Sequence, residues 1–148
     1  MVNAQAVARA IAKLTLTKKA SDVLMMDLRG LTSMADYFVV CSADSDIQVK
    51  AIADGVEEGM DAVGVSPWHI ESGSTNWILL DFVDVVLHVF HKSTRQFYSL
   101  EKLWGDAKIV RFSDEVVLRK RPVRTAKRKV RKISKSKKAT KVRRKSTR

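Results

Sequence analysis

Three histidines, His69, His88 and His91, and a single cysteine, Cys41, are the side chains in this 148-residue chain whose types suit metal ligation or nucleophilic chemistry. Metal sites in proteins take such ligands at compact sequence spacings, and no pair here has one. His88 and His91 are three apart in an apolar run, so on a strand they point to opposite faces. Cys41 lies in the run Tyr37-Phe38-Val39-Val40-Cys41 with no basic neighbour to favour the thiolate, which reads as a small buried hydrophobe rather than a nucleophile. No Ser, His and Asp can be argued into a nucleophilic relay. The expectation is no catalytic residue, no metal and no cofactor, which leaves recognition as the chemistry of the chain.

Recognition needs a presented surface, and the apolar periodicity says which elements present it. Residues 3–19 place Val7, Ile11 and Leu14 four and three apart, with Arg9, Lys13, Lys18 and Lys19 off that stripe, as in an amphipathic helix packed on a sheet. Runs at 23–26 and 37–41, separated by Arg29-Gly30 and Thr32-Ser33, read as buried strands. From Asp46 the period is helical again, with Val49, Ile52, Ala53, Val56, Met60 and Val63 in one stripe and Gly64 as its stop. A short strand at 68–70 and a Ser72-Gly73-Ser74-Thr75 loop lead into two strong apolar runs, 77–82 and 85–90. Phe97, Leu100 and Trp104 then mark a final helix over 94–104 that Gly105 ends. This order predicts an α/β (α+β) domain: a mixed sheet with helices packed mainly on one face.

The two strong runs read as a hairpin in which Asp81 and Asp84 pair across a two-residue Phe82-Val83 turn. Alternation then puts Trp77, Leu79, Asp81, Asp84, Val86, His88 and Phe90 on one face, and Ile78, Leu80, Phe82, Val83, Val85, Leu87 and Val89 on the other. The second face is wholly apolar and should meet the helices. The first mixes aromatic, acidic and imidazole groups in a way that a sealed core penalises. Two readings stand for it: a partner docks there, or another segment of this chain covers it.

Composition sets the frame around that hairpin. With 45% hydrophobic residues the chain can bury one core, while 6 Gly, one Cys and no apolar run near the roughly 20 residues of a bilayer helix exclude collagen-like, disulfide-rich and membrane-spanning classes. The net charge of +12 divides sharply, because residues 119–148 carry seventeen Lys and Arg with no acid, leaving −5 for everything before them. Clustered cations of this kind neutralise phosphates and release counterions, and the absence of aromatics removes base stacking. Arg128, Lys129, Arg131, Lys132, Arg143, Arg144 and Lys145 are the candidate RNA contacts. The expected organisation is a domain over 1–112 and a disordered basic tail over 113–148. A lone cysteine and the lack of a secretory signal make the cytoplasm the expected location, with an organelle transit peptide over the first 20 residues as the minor alternative.

Several segments together carry a resemblance: Asp36-Tyr37-Phe38-Val39-Val40-Cys41-Ser42, Ala51-Ile52-Ala53-Asp54, Trp77-Ile78-Leu79-Leu80-Asp81 with Asp84-Val85-Val86 and His88, and Phe97-Tyr98-Ser99-Leu100-Glu101-Lys102-Leu103-Trp104-Gly105-Asp106-Ala107. In order and spacing, over about residues 5–110, the chain resembles the ribosomal silencing factor family, RsfS, also called Iojap. The resemblance implies a nucleotidyltransferase-like fold, often dimeric when free, that binds the large ribosomal subunit through its fourteenth protein. It further implies that the bound factor sterically blocks joining of the small subunit and so represses translation, with a role in ribosome biogenesis besides. On that reading Trp77, Leu79 and Tyr98 are the expected anchors, Asp81, Glu101 and Lys102 supply polar complementarity, and Phe97 and Trp104 pack the helix. Ribosomal RNA is the expected partner of the tail, and no membrane is involved.

The chain departs from the family pattern in four places. Ser42-Ala43-Asp44-Ser45 stands where Ser-Gly is common, Ser72 where a glycine is usual, and Asp81-Phe82-Val83-Asp84 where the family has Asp-Tyr-Gly-Asp; the basic tail is additional. Valine fits poorly where glycine would supply a positive φ, so the turn is expected to be wider or differently twisted. Two other functions compete: a nucleic-acid-binding protein acting through the tail, and a nucleotidyltransferase-like enzyme using Gly73-Ser74 and the carboxylates Asp81 and Asp84 to hold magnesium on phosphates. Spacing opposes the enzyme, since carboxylates three apart meet only across the turn, and Asp27 or Asp36 would have to arrive through tertiary proximity.

Overall fold

The computed structural model describes residues 3–113. Helix α1 (Ala4–Thr17) starts where the Asn3 side chain accepts the Gln5 and Ala6 backbone N–H groups. Strands β1 (Ser21–Asp27) and β2 (Tyr37–Ala43) follow, then helix α2 (Asp46–Asp61), whose first turn is capped by the Ser45 hydroxyl. Gly64 beyond it takes φ +83°, the left-handed stop that glycine accepts without strain. Strands β3 (His69–Glu71), β4 (Trp77–Asp81) and β5 (Val85–His91) come next, then α3 (Lys92–Tyr98), α4 (Leu100–Leu103) and β6 (Lys108–Phe112). The strands form one mixed sheet in the order β3-β4-β5-β2-β1-β6, in which only β2 and β5 run parallel.

Helices α1 and α2 pack together on one face of the sheet, over Ile78, Leu80, Val85, Leu87 and Val89 of the hairpin. This is the wholly apolar face that alternation assigned to the helices. Ile11, Ile52, Val56 and Met60 are buried between the two layers. The opposite face carries a second core of Leu24, Met26, Leu28, Val40 and Phe90, against which Phe38, Trp77, Leu100, Trp104 and Ala107 are half-buried. Among the described residues no helix is long and apolar enough to cross a membrane.

Three sequence expectations are corrected. Strand β6 falls outside the expected elements: its five residues alternate too briefly to announce a strand, and pairing with β1 is what makes them one. The helix expected over 94–104 is two helices, broken at Ser99 in the left-handed region with φ +46°. The break turns Leu100 and Trp104 onto the second core and leaves Phe97, expected to pack, 81% exposed.

The hairpin register is the third correction. Asp81 pairs with Val86, Leu79 with His88 and Trp77 with Phe90, so Asp81 and Asp84 do not face each other. Phe82 N–H donates to the Val85 carbonyl at 2.8 Å and Asp84 N–H to the Phe82 carbonyl at 3.1 Å, which makes Val83 the pivot with φ +79°. The Asp81 carboxylate accepts Val83 N–H at 2.8 Å and holds the turn in place. A register shift of two residues preserves the side-chain period, which is why the predicted faces survive within β4 and β5, whereas Phe82 and Val83, expected on the helix-facing side, lie in the turn between the strands with Val83 exposed. Val83→Gly is expected to raise stability by about 1 kcal/mol, the relief of a β-branched residue from left-handed backbone less the entropy of glycine. Val83 is 59% exposed, so little burial is lost with its side chain. A urea midpoint that does not rise would show that the turn bears no strain.

Candidate docking site

On the face away from α1 and α2, aromatic rings run from the interior to the surface. His88 and Phe90, from β5, are buried and lie parallel with centroids 5.9 Å apart. Trp77, from β4, is half-buried with its ring 4.9 Å from Phe90 and 4.7 Å from Tyr98 of α3. Tyr98 meets the exposed Phe97 edge-on at 5.1 Å. Strand pairing places Trp77 beside Phe90, and the N-terminal placement of α3 directly after β5 brings Tyr98 over both.

Trp77 Nε1 donates to His88 Nδ1 at 3.3 Å. An indole N–H can only donate, so Nδ1 is the unprotonated nitrogen and the imidazole proton is assigned to Nε2, which is buried without a partner among the described residues. Burial pushes the His88 pKa down to about 4, and the ring is neutral at physiological pH. The pair locks the indole plane, so Trp77 is a rigid ridge. Leu79 lies two residues along the same face, and the two line a groove of about 310 Å³ with Glu71 and Ser74. A second groove of about 380 Å³ lies on the other side of Trp77, walled by Asn76, Thr94, Phe97 and Tyr98.

The six predicted contact residues thus separate into two groups. Trp77, Leu79 and Tyr98 are brought together on the aromatic ridge. Asp81, at the far end of β4, spends a carboxylate oxygen on the turn, and Glu101 accepts from the buried Arg95 at 3.0 Å and 3.3 Å. Lys102 is exposed on α4, beside a separate polar cleft. Sequence reasoning missed Phe97 and Leu103 as surface groups, because a continuous helical stripe assigned Phe97 to the core and only the left-handed Ser99 reverses that. The candidate RNA contacts from Arg128 to Lys145 lie outside the described residues.

The competing chemistries do not converge on this geometry. Gly73-Ser74 lies in the loop that joins β3 to the start of β4, whereas Asp81 is at the far end of β4. Asp27 is occupied by Arg29 at 2.8 Å, whose hydrogen bond holds its carboxyl below the usual carboxylate range. Among the described residues no three His, Cys, Asp or Glu side chains are grouped to hold a metal ion. His69 pairs with Glu71 at 2.9 Å, and His91 Nδ1 caps α3 by accepting Ser93 N–H at 3.3 Å. Cys41 is fully buried, and that burial pushes its thiol up to about 12.

Over residues 2–146 the chain matches the family model for the ribosomal silencing factor during starvation. It is 46% identical over 91 residues to the ribosomal silencing factor RsfS of Bacillus subtilis, covering 61% of this chain and 77% of the relative. The factor of the same name from Halalkalibacterium halodurans is 42% identical over 94 residues, which cover 63% of this chain and 80% of the relative. A crystal structure of a Chromobacterium violaceum protein superposes with a TM-score of 0.68 at 32% identity, covering 70% of this chain and 88% of that one.

Proposed function

Because the chain belongs to the ribosomal silencing factor family, a ribosome-associated silencing role is its starting point, and we propose that it binds the large ribosomal subunit and sterically blocks joining of the small one. The observation that carries this reading is the aromatic ridge. A half-buried tryptophan locked by His88 and flanked by an exposed tyrosine and phenylalanine is an anchor prepared for a partner protein, with little side-chain entropy left to lose. Trp77, Leu79, Phe97 and Tyr98 are the proposed anchors for the fourteenth protein of the large subunit, and Lys102 flanks them. Repression on this reading follows from occupied surface, with no bond made or broken. The basic segment 119–148 is proposed as an accessory that neutralises ribosomal RNA phosphates and raises the local concentration of the docking face.

Sedimentation of the full chain with large subunits, followed by addition of small subunits, tests the proposal. Trp77→Ala is expected to weaken large-subunit binding by about 30-fold, as for a central interface anchor. Tyr98→Ala with Phe97→Ala tests the same ridge from exposed positions that do not threaten the core. A chain ending at Leu118 is expected to bind more weakly and still block joining. Binding that only the full chain shows, lost at modest salt and without effect on joining, would make the protein a cationic RNA binder instead.

A further inference from the structure

Among the described residues, helices α1 and α2 do not cover the whole of their face of the sheet. Six strands about 4.8 Å apart span roughly 24 Å, and two helices packed side by side at about 10 Å leave a margin open. That margin is at β3. Helix α2 lies over β4, β5 and β2, and Ile70 of β3, on the same side as the buried Ile78 and Leu80, stays 36% exposed. Between α2 and the β3–β4 hairpin runs a groove of about 640 Å³. Its floor is Ala53, Ile70, Ile78 and Leu80, and Ile47, 84% exposed in the first turn of α2, stands at one end. The α2 wall from Asp46 to Glu57 is about 16 Å long, three turns of helix.

That wall is acidic. Helix α2 carries Asp46, Asp54, Glu57, Glu58 and Asp61 against Lys50, which is itself held by Asp54 at 3.2 Å. Glu57, exposed on the groove, is in no ion pair among the described residues. Such a rim repels nucleic-acid phosphates and attracts Lys and Arg, while the floor takes aliphatic side chains. A helix laid beside α2, with anchors three and four residues apart, matches both the length and the chemistry. We propose that the groove receives a basic amphipathic helix of a second protein, its aliphatic stripe on Ile47 and Ile70 and its cations on Asp54 and Glu57. The aromatic ridge lies on the opposite face of the sheet, so the two surfaces can be occupied at once, and the groove binds its partner whether or not the ridge meets the large subunit.

The test uses the full chain and a fluorescein-labelled synthetic peptide of about 14 residues, Leu at three- and four-residue spacing with Lys and Ala between, read by anisotropy at about 0.15 M salt. A Kd of tens of micromolar or tighter is expected. The double variant Asp54→Lys with Glu57→Lys, and separately Ile47→Ser, change exposed side chains and are each expected to weaken binding about tenfold. The same peptide with every Leu replaced by Ser is expected not to bind. No binding of the leucine peptide up to about 100 µM overturns the proposal, as does binding that either variant leaves unchanged or that the serine peptide matches. Equal binding of a peptide copying residues 116–131, lost in the same variants, gives the groove to the chain's own basic segment. A dimer in sedimentation velocity that Ile47→Ser dissolves gives it to a second copy, and either of these results overturns a second-protein partner. No ribosome enters this experiment, so its failure and that of large-subunit docking are separate results.

Discussion

Arg95→Met is expected to lower the unfolding free energy of the full chain by about 3 kcal/mol, read as a fall in the urea midpoint at unchanged slope. The guanidinium joins three elements that are far apart in sequence: the Asp22 carbonyl of β1, Ser42 of β2 and Glu101 of α4. Methionine fills much of the volume and returns none of those bonds, leaving a carbonyl, a hydroxyl and a carboxylate without their donor. The loss falls at the lower end for a broken buried ion pair because the Glu101 side chain is 29% exposed and water can reach part of it. Adding Glu101→Gln removes the stranded charge and is expected to recover about 1 kcal/mol. A single-variant loss below about 1 kcal/mol would show that the bonds exchange freely with water. The same substitution frees α3, so Tyr98 and Phe97 lose their fixed position beside Trp77.

Stability is expected to fall by roughly 2 to 3 kcal/mol between pH 7.5 and pH 4.5, through His88 alone. In the unfolded chain this imidazole titrates at its ordinary 6.5, and in the fold burial among Phe38, Trp77 and Phe90 holds it at about 4. Above pH 6.5 both states are neutral and the stability is fully present. As pH falls below 6.5 the unfolded chain takes up a proton that the folded chain refuses, so the stability drains away until the folded pKa is passed. Asp27, held below its ordinary 3.8 by Arg29, adds a loss of the same sign only at lower pH, so the chosen window isolates His88. His88→Phe keeps the ring volume and removes the proton site, and is expected to flatten the dependence while lowering overall stability through the lost Trp77 bond. His69→Gln, at an exposed position, is the control. A slope that survives in His88→Phe would place the titrating group elsewhere.

The elements that local periodicity defines were legible before any coordinates. The stripes of α1 and α2, the caps at Gly64 and the apolar runs of β1, β2, β4 and β5 all follow from spacing within a dozen residues. Their faces are set by a period of two or 3.6 that no distant contact can change. Alternation therefore puts Trp77 and Leu79 on one face in either hairpin register, because a shift of two residues leaves the period in phase.

What spacing alone did not contain is set by groups far apart in the chain. The left-handed Ser99 divides the last helix, and beyond it Glu101 meets Arg95, which itself reaches Asp22 and Ser42; these partners lie up to 73 residues away, outside any local spacing. Strand β6 exists because β1 offers it an edge, and Phe97 is exposed because Leu100 and Trp104 take the core instead. The sheet faces, the charge division and the family are written in the residues themselves, since these depend on residue identity and short-range period. Which aromatics form the ridge and which carboxylates are already paired follows from packing between distant segments, since a hydrogen bond forms only where the fold brings donor and acceptor to within about 3 Å.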